Sequence, residues 1–367
     1  MLASFLSAST TMTIHVLGIS APIHPGQLLQ NFQQYRLLAP NLTEETLSAR
    51  IRYVPGSLAE PHFGLSDGAF RRLGETIQAI FHAGTQVSLL QSYNELKRVN
   101  VQAVLDVIEL ASYGSRLTQI NYLSTFSVPH LQTWNTSKRT HDKIIASEER
   151  ISHFSPEETP DQGYFKTRWV AEMLFNQAAD RGFAVSIYRA SAISASTLTK
   201  VSEPADDFLR RMVQTMIESG AVPEFGTPSI EFTIDFIPVN YLASTIYYLS
   251  THAPVKREGP AIYHITNPHP LPLKSLPAII GNVRSDSKRG KMVHWDTWLS
   301  LIPTRDEKEQ LRWNVIREYF LKGHNMFALD STRTLEALAA VGGADVACPP
   351  MDAVYLRNMY QTPQADR

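Results

Sequence analysis

Short apolar runs alternate with amphipathic stretches through the first half of the chain, and this predicts the strand–helix–strand units of a parallel α/β sheet. Residues 13–19 read as a strand and 26–35 as the helix after it; 51–54 and 79–84 read as the next strands, the latter short and buried. A long helix is predicted from Tyr93 to Tyr113, stopped by Gly114, with a strand over 119–126 beyond it. The polar segment 133–160, with its Ser, Lys and Glu clusters, predicts a surface loop or lid. A helix opens at Tyr164 and ends at Asp180-Arg181-Gly182, where glycine suits the left-handed stop. Residues 184–189 follow as a buried strand. Beyond them the alternation loosens: 206–219 helical, 230–238 strand-like, 241–249 helical, 261–266 strand-like, and the remainder mostly helical.

Composition narrows the class. The 367 residues suffice for one large or two ordinary domains, and 43% hydrophobic with 19% charged residues is a globular balance. Thirty-four basic against 35 acidic residues give a net charge of -1, so nothing favours nucleic acid or an anionic membrane. No apolar run approaches the length of a membrane span, and the N-terminus makes a poor signal peptide, so a cytoplasmic protein is expected. The one cysteine, Cys348 beside Pro349 and Pro350, excludes an internal disulfide and reads as apolar filler.

Tyr164 and Arg168 are the candidate chemistry. Four residues apart on a helix, they share a face, so a phenol and a guanidinium can serve one site. Lys166 points elsewhere. Tyr93 and Lys97 show a Tyr-x-x-x-Lys spacing but lie on the earlier helix and read as a decoy. His82 reads as a buried strand histidine. His130, His141 and His153 lack ligand spacing, so no metal site is predicted. Ser124 and Ser127 have no Gly-x-Ser-x-Gly setting. Asp206 and Asp207 read as a helix start.

An ordered series of stretches carries a family likeness. It runs through Val54-Pro55-Gly56-Ser57-Leu58, Ile80-Phe81-His82-Ala83-Gly84, Arg98-Val99-Asn100-Val101 and Tyr122-Leu123-Ser124-Thr125. The Tyr164 helix, Ile187-Tyr188-Arg189, Ile237-Pro238-Val239-Asn240-Tyr241 and Tyr263-His264-Ile265-Thr266 continue it. The chain resembles the terminal thioester reductase domains of peptide synthetases, polyketide synthases and carboxylic acid reductases, within the extended short-chain dehydrogenase/reductase superfamily.

The resemblance implies a Rossmann-like, doubly wound parallel sheet over 1–192, to which elements near 230–250 return, and a smaller, mostly helical substrate region over 193–367. It implies Thr125 as the hydroxyl holding the substrate oxygen and Tyr164 as the proton donor. Arg168 stands where the family has lysine, as a catalytic and ribose-binding residue, with Asn100 and Arg189 beside the cofactor. The cofactor implied is NADPH, and the substrate a carrier-protein-bound or small acyl group, with a synthetase or second subunit as partner.

Four departures fall on the nucleotide. No Gly-x-x-Gly-x-x-Gly turn precedes the first strand, so the usual first βα unit is expected to be missing. Ile19 or Ser20 replaces the basic residue for the 2′-phosphate, Ser57 an adenine-side acid, and Arg189-Ala190-Ser191 an Arg-Pro-Gly segment. NADPH binding in the usual manner is therefore not expected. Three functions follow: NADPH-dependent reduction of a carrier-bound thioester or aldehyde, cofactor-independent cyclising release, or a non-catalytic assembly protein. An antiparallel filler from residues 3–9, or a strand lent by another chain, could occupy the sheet centre.

Overall fold

The computed structural model describes residues 1–9, 11–18, 25–37, 42–114, 118–131, 144–151, 162–199, 208–224, 233–256, 258–284, 290–302, 307–321 and 327–360. Helix α1 (Leu2–Ala8) leads into strand β1 (Ile14–Gly18), followed by α2 (Pro25–Gln34), α3 (Glu44–Arg50) and β2 (Ile51–Pro55). Next come α4 (Asp67–Thr76), β3 (Ala79–His82), α5 (Tyr93–Lys97), α6 (Ala103–Ser112) and β4 (Gln119–Thr125). β5 (Ile144–Ala146), the helix Gly163–Asp180, β6 (Val185–Ala190) and β7 (Ala192–Ser194) complete the first half.

The strands divide unequally. β3, β4, β6 and β11 (Ala261–Ile265) form a four-stranded parallel sheet in the order β11-β6-β4-β3. β1 and β2 form a separate parallel pair. Residues 3–8, weighed as a strand, are helical instead, so they do not fill the sheet centre. The helix is held at its carboxyl end by the buried Arg50, whose guanidinium donates to the Leu6 carbonyl at 2.7 Å and the Met12 carbonyl at 3.1 Å. A cation there meets the negative end of the helix dipole.

Every residue of β6 is buried, as a strand covered on both faces should be. Phe70, Val104, Val107, Ile120, Tyr122, Phe175 and Ile187 form the core on the Gly163–Asp180 side of the sheet. A second core gathers Trp295, Trp298 and Trp313 with Met216, Ile280 and Tyr355. Among the described residues no helix is long and apolar enough to cross a membrane.

Two elements differ from the sequence reading. The helix over 93–112 is interrupted by a π-helical turn, Arg98–Gln102. The expected loop 133–160 contains β5, which pairs in parallel with β14 (Phe327–Leu329). A three-residue strand whose partner is far along the chain leaves no periodicity to read. Asp206 and Asp207 lie outside the described residues; the helix there is Phe208–Ser219.

Candidate active site

Ligands of open α/β sheets sit at the carboxyl ends of the strands. β4 ends there in Thr125, half-buried, whose hydroxyl oxygen lies 3.4 Å from the Ser127 amide nitrogen and from its Oγ. The Gly163–Asp180 helix packs along β4 with Tyr164, Arg168 and Glu172 on one face, since each is one turn from the next. Tyr164, also half-buried, occupies its first turn. Gly163 is there because nothing larger fits: a Cβ would run into the Gln91, Ser92 and Tyr93 backbone. Gly163→Ala is therefore expected to cost about 1–3 kcal/mol by overpacking. It should also displace Tyr164, so urea denaturation and turnover should fall together.

Arg168 is turned inward. It is 3% exposed, with its guanidinium carbon 4.6 Å from the Tyr122 ring centroid and Nη2 donating to the Leu123 carbonyl. The lysine-to-arginine difference thus turns the charge inward, where it fastens helix to strand. Burial, then the Arg168 charge, pulls the pKa of His82 down to about 3, and its ring stacks on Tyr122.

Asn100 also works internally. Its Oδ1 accepts from Thr85 Oγ1 at 2.9 Å and from the Gln86 N–H at 2.8 Å; its Nδ2 donates to the Gln86 carbonyl and to Thr167 Oγ1. The π-helical turn delivers this buried side chain, which ties the segment after β3 to the Tyr164 helix.

Arg189, expected beside the cofactor, is fully buried. It pairs with Glu172 at 2.8 Å, meets His264 Nε2 at 3.1 Å and donates to the Glu149 carbonyl at 3.0 Å. Glu172 also accepts from Ser124 Oγ. This network joins β4, β6 and β11 to the helix beneath the site. As arranged, Arg189 ties β6 to the helix and to β11.

Sequence reasoning missed Asp235. It lies between β9 (Thr233–Ile234) and β10 (Phe236–Pro238), half-buried, accepting from Ser191 Oγ at 2.6 Å and from the Asn267 N–H at 2.7 Å. Burial raises its pKa to about 6 against these two hydrogen bonds. An acid inside the apolar run Thr233-Ile234-Asp235-Phe236-Ile237 was the available signal.

A second cluster lies beside the β2–α4 turn. His62 (φ 49°) and Phe63 (φ 60°) are both left-handed, a conformation unfavourable for such residues. His62 Nδ1 lies 3.1 Å from Asp67, Nε2 lies 3.3 Å from Glu109, and the ring stacks on Phe70 at 4.4 Å. The His62 backbone N–H donates to the Asp106 carboxylate. Ligand atoms of His62, Asp106 and Glu109 lie within 4.8 Å of one another, but both imidazole nitrogens already serve carboxylates.

Desolvation lowers the His62 pKa, but Asp67 and Glu109 together raise it above the ordinary value. A raised folded pKa gives stability that is present below the unfolded value and lost as pH rises through the folded one. The melting-temperature advantage of the native protein over His62→Asn should accordingly shrink between about pH 6 and pH 8. Thermal melts across that range check it.

The parallel sheet, the Tyr164 helix laid along β4 and a hydroxyl ending that strand define a Rossmann-like domain of the extended short-chain dehydrogenase/reductase type. Residues 2–246 match the male sterility protein family of NAD-binding domains, and the chain belongs to that family. It is 44% identical, over 98% of its length, to the hybrid PKS-NRPS synthetase pyvA of Aspergillus violaceofuscus, and 40% identical over 98% to pynA of Aspergillus niger. It covers 10% and 9% of those proteins, about a tenth of their length. Among solved structures, the terminal R domain from the myxalamid PKS-NRPS pathway superposes with a TM-score of 0.78 at 27% identity, covering 97% of this chain and 85% of that one. A UDP-glucuronic acid 4-epimerase from Bacillus cereus in complex with NAD shares the fold, at TM-score 0.60 and 13% identity.

The family binds nicotinamide nucleotides, so the fit can be tested. A small apolar cavity on one face of the sheet, lined by Met1, Phe81, Asn121, Leu123, Tyr188 and Ile246, measures about 10 Å³. Cofactor pockets measure roughly 300–1,000 Å³ and present convergent polar groups. Asn100 and Arg189 are spent internally, and β1 and β3 are not bonded to each other. The described residues by themselves do not make a cradle for a dinucleotide.

Proposed function

We propose that the protein is a thioester reductase of secondary metabolism. It acts on an acyl or peptidyl chain held as a carrier-protein thioester, or on the derived aldehyde, with NADPH as reductant. Tyr164 is the proton donor to the oxygen on which charge develops, and Thr125 donates a hydrogen bond to that same oxygen. An arginine side chain does not relay protons as lysine can; Arg168 holds the Tyr164 helix on β4. Asn100 fixes the neighbouring segment against the same helix. Reduced nicotinamide supplies the hydride when bound; the chain's own residues hold and protonate the oxygen.

The supporting observation is Tyr164 in the first turn of a helix lying along β4, the strand that Thr125 ends. The likeness to synthetases bearing this domain supports the substrate class. Mixing the protein with NADPH and an acyl-pantetheine thioester tests it: aldehyde or alcohol should appear in step with loss of NADPH absorbance. The incomplete nucleotide cradle favours a second reading, cofactor-independent cyclising release. Release of a cyclised chain with no NADPH consumed would establish that one instead.

A further inference from the structure

Helix α6 and the turn before α4 bring an imidazole and two carboxylates to one point. Asp106 and Glu109 stand three residues apart on α6, so both rise from one face of it. His62 faces them from the turn. Its Nε2 lies 3.3 Å from Glu109 Oε2, and its backbone N–H donates to the Asp106 carboxylate. One ligand atom from each of the three lies within 4.8 Å of the other two. No ligand spacing marks the cluster in the sequence, since Glu109 lies 47 residues beyond His62.

The imidazole is held in its orientation. Phe70, fully buried, stacks on the ring with 4.4 Å between centroids, and Asp67 Oδ1 lies 3.1 Å from Nδ1. Both ring nitrogens therefore face carboxylates, yet a neutral imidazole carries a single N–H. With that proton donated to Asp67, the Nε2 lone pair points at Glu109 Oε2, and two acceptors meet with nothing between them. A second proton fills that place in acid. Above the imidazole range the same place calls for a metal ion.

The spacing fits zinc. Ligand bonds of about 2.0–2.2 Å in a tetrahedron set neighbouring ligand atoms about 3.3–3.5 Å apart, and the Nε2–Oε2 pair already stands at 3.3 Å. Asp106 has to close by at most about 1.5 Å, the difference between 4.8 and 3.3 Å, which a side-chain rotation supplies. Each ligand also has an outer partner, as in metal sites generally. Asp67 orients His62, the Tyr113 hydroxyl donates to Glu109 Oε1 at 2.8 Å, and the His62 backbone N–H holds Asp106. The Glu109 side chain is 43% exposed, so water reaches the remaining position.

We infer that His62, Asp106 and Glu109 bind one zinc ion, with water as its fourth ligand. The ion stitches the turn after β2 to helix α6. An imidazole among the ligands suits zinc, whereas magnesium and calcium take oxygen ligands. The site stands apart from the proposed reductase, and its test needs no turnover.

Calorimetric titration of the whole protein with zinc chloride tests it, after treatment with a chelator and at about pH 8, above the ordinary imidazole range. One equivalent should bind, and the melting temperature should rise with it. His62→Asn and Glu109→Gln should each lose that equivalent. Asparagine tolerates the left-handed backbone of residue 62, so the turn survives the first of these. Asp67→Asn removes only the orienting charge; it should keep the equivalent and weaken its affinity by about 10–100-fold. Cobalt(II) in place of zinc should give the strong visible absorption of a four-coordinate ion, absent in His62→Asn. No binding, an equivalent that survives His62→Asn, or magnesium bound as tightly as zinc would each overturn the site, the last by reducing it to a patch of negative charge.

Discussion

Tyr164→Phe is expected to slow thioester reduction by about 10²–10⁴-fold, the range a positioned general acid contributes. The substitution removes one oxygen and leaves the ring, so the half-buried contact with Phe165, at 5.9 Å between ring centroids, survives. Helix and stability should be unaffected, and substrate affinity should change little. Single-turnover measurement of aldehyde formation, beside a denaturation curve, separates chemistry from folding. Undiminished turnover would take the proton donor away from Tyr164. A loss of rate with an equal loss of stability would assign the ring a packing role only.

The second large effect concerns the charges beneath the site. Glu172 is 1% exposed and Arg189 fully buried, and they hold each other at 2.8 Å. Removing one partner strands the other, so Glu172→Ala should cost about 3–5 kcal/mol. His264, its own pKa pulled down to about 3 by burial and then by Arg189, cannot take over, because it presents a neutral ring. The double replacement Glu172→Met with Arg189→Met removes both charges and should recover most of the loss. Urea denaturation of Glu172→Met, Arg189→Met and the double replacement measures the coupling; additive losses would show that the pair carries no mutual stabilisation.

This network shows where sequence legibility ended. β6 could be read from Ala184-Val185-Ser186-Ile187-Tyr188-Arg189, and the structure places the strand at Val185–Ala190. The family likeness put Arg189 beside the cofactor, but a charge on a strand buried on both faces must find its partner inside. Glu172 is that partner, two turns along the helix from Tyr164. Arg168 followed the same logic. Its place on the helix was legible, while the longer, forked side chain's turn onto Tyr122 and the Leu123 carbonyl depended on packing that no spacing encodes.

Other features had no local signal. Neither histidine nor phenylalanine favours the left-handed region, so the turn at His62 and Phe63 is imposed by Asp67, Asp106, Glu109 and Phe70. The π-helical turn that delivers Asn100 lies inside a run that reads as ordinary helix. β5 takes its structure from β14, far along the chain.

The central claim is that this chain directs a hydride onto a carrier-held carbonyl, with Tyr164 completing the reduction. NADPH deuterated at nicotinamide C4, supplied with an acyl-pantetheine thioester, addresses it directly. Mass spectrometry should find deuterium on the carbonyl carbon of the aldehyde or alcohol product. Released product carrying no deuterium, with NADPH intact, would contradict the account.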